Sequence, residues 1–327
     1  AVVTKIIKDN LAEDGSRYGT QKVLVKMTTG TYKGKEKQAI NPSGTLFGAD
    51  CKVGARIIVI VNKSGTNTGF TVYSQDRTMA IYGFALIFAA VVCAIGGKKG
   101  VYAILSLVFA FACIIGIMFP MMYRGISPIV LTIIVAVLTT IVTLGLLGGY
   151  SSKTVSAILG TAIGVVIAAV AAMAFGKAAG ITGYNVSDIE ALNYVGQNTK
   201  IKIGELLFAG IIISALGAVM DVGMSIASTI QEIYETDKTL SMKRLFVSGI
   251  NVGRDMMGTM TNTLIFAYVG GAMTTLVINY AYDLSYRQLA NSYVIGIEIM
   301  QGLSGSLGVV LTVPITALIA SFLAVRK

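Results

Sequence analysis

The sequence contains no histidine and no tryptophan, and it has only 3 cysteines and 4 prolines among its 327 residues. Without histidine, a zinc site with imidazole ligands, a histidine general base and a Ser-His-Asp triad are excluded. Cys51, Cys93 and Cys113 stand far apart and form no CxxC pair, so neither a thiolate metal cluster nor a disulfide framework is predicted. We expect no cofactor and no enzymatic activity.

Charged residues are scarce too, at 13% of the chain against about 25% in soluble domains. Residues 1–77 hold 12 Lys/Arg and 6 Asp/Glu, whereas the following 250 residues hold 14 and 10. This contrast predicts two domains, a polar head at 1–77 and a transmembrane helical domain at 78–327. The net charge of +10 comes without a basic patch interleaved with aromatics. We therefore attribute it to loop lysines and arginines beside anionic lipid, and expect no nucleic-acid binding.

The head alternates apolar and polar residues with a period of two, which is typical of strands. The pattern predicts five strands at Val2–Ile7, Gln21–Thr28, Lys35–Asn41, Ala55–Lys63 and Thr68–Gln75. Five short strands in so few residues fit a small barrel or sandwich, and an OB-like barrel is one such form. We interpret the head as a structural or partner-docking domain.

Seven apolar runs follow, each close to the roughly 20 residues that cross a bilayer as a helix. They lie at 78–96, 101–121, 127–147, 154–175, 204–224, 257–279 and 306–325. The predicted fold is therefore an α-helical polytopic membrane protein of about seven spans, with a small all-β N-terminal domain. Lys98 and Lys99, in the short loop after the first run, give a positive-inside signal. The head is then extracytoplasmic, the C-terminus is cytoplasmic, and an anchor before Ala1 is expected.

Small residues on the fourth run predict a packing face. Gly160 and Gly164 are four residues apart and are followed by a stripe of alanines, a pattern that lets helix backbones approach closely. The polar loop at 176–203 is long enough for a short helix near 186–194, capped by Ser187.

Polar residues form one stripe on each of two neighbouring runs. Because steps of three or four residues share a helix face, the members of each stripe point the same way. On the fifth run and its extension they are Gly210, Ser214, Gly217, Asp221, Ser225, Ser228 and Glu232, and on the sixth Asn251, Asp255, Thr259, Asn262, Phe266 and Gly270. Ionisable groups in a membrane span are costly and are candidates for function.

A turn centred near Lys238 places Asp221 and Asp255 at equal distances from it, so an antiparallel hairpin brings both carboxylates to one depth. Oxygen ligands of this kind suit a dehydrated cation, and two close carboxylates can also share a proton. The alternative is that Asp255 pairs with Arg254 or Lys243 while Asp221 anchors a helix at the membrane interface.

Residues 288–303 are short and polar for a span, so they predict an interfacial or re-entrant helix hinged at Gly302–Gly305. Glu298 in this segment is a third candidate carboxylate. The candidate pathway residues are thus Asp221, Ser225, Ser228, Asp255, Thr259, Asn262 and Glu298. The pattern does not identify a metal.

Three long segments combine apolar and polar residues: AVMDVGMSIASTIQEI at 218–233, GRDMMGTMTNTLIFAYVGG at 253–271 and GSLGVVLTVPITALIA at 305–320. They resemble the YibE/F-like family of bacterial multi-pass membrane proteins. The resemblance implies a bacterial plasma membrane, an additional span before the head and the plan of a β-rich head followed by many helices. It supplies no catalytic residues.

Two functions fit the sequence, and a membrane enzyme ranks third. The first is a plasma-membrane transporter or channel for a small ion or solute, with its pathway between the fifth and sixth spans. The second is a non-transporting platform that docks an external partner through the head and a cytoplasmic partner through the 225–252 hairpin. The expected partners are the lipid bilayer, a cation or small solute and a second copy of the chain.

Overall fold

A computed structural model describes residues 1–10, 19–42, 48–64, 67–186 and 188–326. The chain divides into two compact units, Ala1–Val91 and Val92–Lys327. The first holds the strands and the start of the first helix, and the second holds the remaining helices.

The N-terminal unit is built on one five-stranded sheet, and all five predicted strands are confirmed. Their bounds are β1 Val2–Lys8, β2 Gln21–Lys26, β3 Glu36–Asn41, β4 Ile57–Ser64 and β5 Asn67–Gln75. The spatial order is β1-β2-β3-β5-β4. Neighbouring strands run antiparallel except for β3 and β5, which are parallel at Ile40 and Thr71.

The start of the chain also bonds to the start of β4 and to a residue just before it, at the far end of the sheet order. The Val3 amide donates to the Ala55 carbonyl at 3.0 Å and the Ile57 amide to the Ala1 carbonyl at 2.9 Å. Register shifts in the β1–β2 and β4–β5 pairings are the irregularities that increase strand bending and twist. The sheet thereby curls around a core that includes Val3, Val23, Val25, Ala39, Ile57 and Val72.

The second unit is helical. Its helices, with the first one beginning in the N-terminal unit, are α1 Thr78–Cys113, α2 Phe119–Tyr123, α3 Pro128–Gly148, α4 Ser152–Ala179, α5 Ile189–Asn198, α6 Leu206–Thr236, α7 Met242–Gly271, α8 Met273–Ala281, α9 Tyr286–Ala290 and α10 Tyr293–Val325. A π-helical turn joins α1 to α2. The predicted cap of α5, Ser187, lies outside the described residues.

Within the described residues, five helical stretches are long and apolar enough to cross a membrane, and a sixth is added if the bent pair α7–α8 forms one span. The chain is therefore a helical membrane protein. The predicted runs 78–96 and 101–121 fall in a single helical stretch, Thr78–Tyr123. That stretch is broken at Gly97, whose φ of 54° and ψ of −131° are not helical. Gly100 lies so close to Val92 that a Cβ would come within 2.2 Å of the Val92 carbonyl oxygen.

The helix packing face predicted at Gly160 and Gly164 is confirmed. Thr316 and Thr312 of α10 lie directly on these glycines of α4, and a Cβ at either one would meet a threonine hydroxyl at 1.9 Å. Around this contact α4, α6, α7 and α10 share a core that includes Val165, Val219, Ile226, Leu245, Val309 and Val313.

Two predicted spans have other bounds. The predicted hinge at Gly302–Gly305 is wrong, because α10 runs unbroken from Tyr293 to Val325. Its glycines instead allow neighbouring helices to pack closely. At Gly305, for example, a Cβ would lie 3.4 Å from Ala215 of α6. The predicted span 257–279 is likewise not one straight helix, since α7 and α8 meet at Ala272 with a bend of 60°. Pro314 lies inside α10 without ending it.

Candidate functional site

The turn between α6 and α7 is formed by short polar side chains. Helix α6 ends at Thr236, and the Asp237 carboxylate accepts hydrogen bonds from the Thr239 amide at 2.9 Å and the Thr239 hydroxyl at 2.6 Å. These two bonds hold the pKa of Asp237 below its ordinary value. Ser241 caps α7, since its hydroxyl oxygen accepts from the Arg244 amide. The hairpin that the sequence predicts is present.

Glycines set the register of the two helices. A Cβ at Gly249 would meet Ile230 Cδ1 at 2.7 Å, and a Cβ at Gly253 would meet Ile226 Cδ1 at 3.3 Å. Extending this antiparallel register places Asp221 level with Gly258, three residues from Asp255. That offset is about 4.5 Å along the axis. The two carboxylates thus lie within one helical turn of each other in level.

Both polar stripes lie on the outer surfaces of their helices. The side of α6 that packs into the core carries Val219, Ile226 and Ile230, which are fully buried. Ser214, Asp221 and Glu232 are exposed on the opposite side, with Ser225 and Ser228 partly buried at its edge. On α7, Asn251, Asp255, Thr259 and Asn262 are all exposed. The helices therefore pack through other faces, and the polar side chains are not enclosed between them.

The two carboxylates have no protein counter-charge within the described part of the chain. The ion pairs recorded there, Lys52 with Asp50 and Lys202 with Glu205, involve neither Asp221 nor Asp255. The alternative pairing of Asp255 with Arg254 or Lys243 is not seen among these residues either. The described residues also contain no group of three or more acidic or cysteine side chains placed to hold a metal.

Tyr268 connects the two helices at their other end, and sequence analysis missed it. Its hydroxyl donates a hydrogen bond to Ser214 Oγ at 2.9 Å. Ser214 belongs to the polar stripe of α6, whereas Tyr268 reads as one more apolar position of a span. The tyrosine hydroxyl is the feature that could have indicated this contact, because a tyrosine within a helix bundle usually has a polar partner.

Glu298 lies apart from the other two carboxylates. It lines a cleft of about 290 Å³ between α10 and the broken pair α7–α8, beside Tyr268 and Ala272. Tyr268 follows Asp255 by thirteen residues on α7, which is about 20 Å along the axis. The structure thus brings Asp221 and Asp255 to within about 4.5 Å in level and places Glu298 near the C-terminal end of α7.

The family model described as YibE/F-like protein matches residues 84–326, which is most of the chain. The chain belongs to the YibE/F-like family. Every candidate residue on α6, α7 and α10 falls within the YibE/F-like match, whereas the five strands precede it. Neither a curated protein nor a solved structure matches this YibE/F-like chain.

Proposed function

We propose that this protein is a transporter or channel for a small ion or solute in a bacterial plasma membrane. The observation that carries the proposal is the position of Asp221 and Asp255, which are exposed on adjacent helices at nearly one level. A carboxylate left against lipid costs several kcal/mol by the lower of the published scales, about 2.5–3.5. Something polar must therefore cover this surface, and a hydrated pathway does so.

A second copy of the chain is the proposed wall of that pathway. The outward stripes carry hydroxyls and an amide besides the carboxylates, at Ser225, Thr259 and Asn262. Such groups donate hydrogen bonds to carboxylates, so two copies of the same surface are mutually complementary across a two-fold axis. The pathway then lies between subunits and is lined by both helices of each.

We further propose that each chain has seven spans. Thr78–Tyr123 is 46 residues long, which as one straight helix would measure about 69 Å, more than twice a hydrocarbon core. Dividing it at Gly97 and counting α7–α8 as one span raises the five long stretches to seven. With Lys98 and Lys99 on the cytoplasmic side, the N-terminal unit is extracytoplasmic and the C-terminus is cytoplasmic.

We also propose that the N-terminal unit is an OB-like barrel. The support is its strand order β1-β2-β3-β5-β4, its parallel β3–β5 pair and the backbone bonds of Ala1 and Val3 with Ile57 and Ala55. These are the connections of a five-stranded, partly open Greek-key barrel.

Flux through reconstituted vesicles tests the pathway. Vesicles are challenged with gradients of H⁺, Na⁺, K⁺ and Mg²⁺, and flux is compared between the wild type and the variants Asp221→Asn and Asp255→Asn. We expect flux of one of these ions in the wild type and a loss of at least tenfold in both variants. Glu190→Gln, an exposed position of α5, is the control. Equal cation flux in all proteins, or no cation flux in the wild type, contradicts a cation pathway at these carboxylates.

Cysteine crosslinking tests the second copy. In a variant with Cys51, Cys93 and Cys113 replaced by alanine, Ser225→Cys should form a dimer with a short crosslinker. Val170→Cys, on an exposed apolar part of α4, should not. Equal crosslinking at the two positions contradicts an interface along α6.

The platform function is supported by the length of the hairpin. Helices α6 and α7 contain 31 and 30 residues, about 46 and 45 Å, so each exceeds a hydrocarbon core of about 30 Å. Lys238, Lys243 and Arg244 are exposed where the helices extend beyond it. A stable cytoplasmic partner whose binding is lost in a triple alanine variant of these residues, together with the absence of flux, would favour this function.

A further inference from the structure

Four exposed lysines share the outer face of the sheet in the N-terminal unit. They are Lys5 and Lys8 on β1 and Lys22 and Lys26 on β2, and together they form the lysine face. Val23 and Val25 are fully buried in the core, so the residues that alternate with them on β2 point outward. The register places Lys8 opposite Lys22 and Lys5 opposite Leu24, and directly opposed residues lie on the same side of a sheet.

The lysine face has little negative charge to balance it. Glu36 of β3 is opposite Lys26, but the ion pairs recorded among the described residues include none of the four lysines. Asp9 follows Lys8 in the chain, and its carboxylate accepts a hydrogen bond from the buried Gln21 side chain at 3.0 Å. Like charges directly opposite each other destabilise a sheet, so an anion bound between the two opposed lysines would relieve their repulsion.

The positive charge is gathered on one half of the outer face. The row of residues that contains Lys22 continues across the sheet through Ile40, Thr71 and Ile60. These three residues are uncharged, and the two isoleucines are 46% and 39% exposed. The four lysines are therefore concentrated on β1 and β2 rather than spread over all five strands.

The length of the lysine face favours a polymer over a small anion. Opposed Cα atoms in an antiparallel pair are about 4.5–5.5 Å apart, so Lys8 and Lys22 can share one phosphate. Lys26 is four residues further along β2, which is about 14 Å, and the same phosphate cannot reach it. Lysine binds phosphate as a point charge on a flexible stem, which suits a chain whose successive phosphates take variable positions.

The two strands offer no ring on which a nucleobase could stack. Neither β1, with the sequence VVTKIIK, nor β2, with QKVLVK, contains an aromatic residue. Proteins that bind single-stranded nucleic acid combine a basic groove with aromatic side chains that stack on the bases. The lysine face has the charge without the rings, and it therefore fits a phosphate polymer that carries no bases.

We propose that the lysine face binds a linear polymer of phosphate groups without bases, through the ammonium groups of Lys5, Lys8, Lys22 and Lys26. This site is independent of the pathway proposed along α6 and α7, since it belongs to the N-terminal unit. Its test measures binding rather than flux.

The probe is a short-chain inorganic polyphosphate with a fluorescent label at one end. Its anisotropy is measured with the full-length protein in nanodiscs of zwitterionic lipid, and empty nanodiscs are subtracted. We expect saturable binding that weakens in high salt, because salt screens exposed charges. The affinity should fall at least tenfold in Lys8→Gln/Lys22→Gln. No binding to the wild type, or equal competition by orthophosphate at the same total phosphate concentration, would overturn the proposal.

A matched control separates the lysine face from net charge. Lys33 and Lys63 are exposed elsewhere in the same unit, so Lys33→Gln/Lys63→Gln removes the same charge and should bind as the wild type does. Lys5→Gln/Lys26→Gln should also lose at least tenfold, and it decides the matter if the first double variant does not fold. An equal loss in the control, or equally tight binding of a single-stranded oligodeoxynucleotide, would contradict the assignment.

Discussion

The hydroxyl-bearing side chain of Thr316 in α10 rests on Gly160 of α4, with no room for a Cβ between them. We therefore predict that Gly160→Ala lowers the free energy of unfolding by about 1–3 kcal/mol, since overpacking forces neighbours out of place. Removing the opposing side chain in Gly160→Ala/Thr316→Ala should recover much of that loss, which a double-mutant cycle detects. The measurement is SDS-driven unfolding in mixed micelles.

Gly145 of α3 provides the control for this experiment. A Cβ at Gly145 meets nothing within 4 Å, so Gly145→Ala should be neutral or slightly stabilising. Helix propensity favours alanine at both positions, so equal destabilisation at both glycines would contradict a specific cost of the contact with Thr316.

The bond between Tyr268 and Ser214 leads to a second prediction. Tyr268→Phe removes the hydrogen bond of 2.9 Å and should lower the free energy of unfolding by about 0.5–1.5 kcal/mol. Ser214→Ala should cost a similar amount, and the double variant should cost less than the sum. Tyr280→Phe, at an 88% exposed tyrosine, serves as the control. Strict additivity of the two changes would argue against the bond.

Two buried amides hold the N-terminal unit together. Asn41 donates to Gln21 Oε1 at 2.9 Å and to the Ala49 carbonyl at 2.7 Å, and its own oxygen accepts from the Ala49 amide at 3.0 Å. Both side chains are almost completely buried. Asn41→Ala leaves these groups unpaired, at a cost on the order of 1–3 kcal/mol for a buried polar group.

Hydrogen exchange of the full-length protein measures this effect. We predict faster exchange in peptides that cover β2 and residues 48–51 of the Asn41→Ala variant. Gln75→Ala, an exposed amide at the end of β5, should leave those peptides unchanged. Protection equal to that of the wild type would show that the amide network contributes little.

The α6–α7 turn should respond to acid. Because hydrogen bonds from Thr239 lower the pKa of Asp237, the carboxylate stabilises the turn above the pKa of an unfolded aspartate, about 3.9. This contribution is lost as the pH falls through the lower pKa of the folded state. Exchange of the Thr239 amide should therefore accelerate in acid relative to its intrinsic rate, and Asp237→Asn should remove that dependence. A wild-type profile that matches Asp237→Asn would contradict the prediction.

The sequence was most informative where a pattern is local. Period-two alternation located all five strands, and the spacing of Gly160 and Gly164 located the packing face on α4. The polar residues at 235–239 also located the α6–α7 turn. Each of these signals comes from residues within a few positions of one another, so it does not depend on how the rest of the chain packs.

Features that depend on distant residues were not predictable in the same way. Gly302 and Gly305 suggested a hinge, but glycine permits both bending and close packing. Here Tyr268 and Ala215 pack against these glycines, and both are distant from them in sequence. The surroundings of each polar stripe could not be predicted either. Periodicity shows that residues share one side of a helix, but it does not show which neighbour that side contacts. Whether a second copy covers the stripes, as we propose, is again a question of non-local contact.

Pro314 makes α10 easier to bend at one point than along the rest of its length. A proline has no amide hydrogen to donate, so the Val310 carbonyl lacks its partner four residues on, and the helix resists bending less there than elsewhere. Glu298 and Pro314 are sixteen residues apart, about 24 Å along the axis, while Thr312 and Thr316 hold the middle of α10 against α4. The contacts of Thr312 and Thr316 with α4 therefore hold α10 in place on both sides of the missing hydrogen bond.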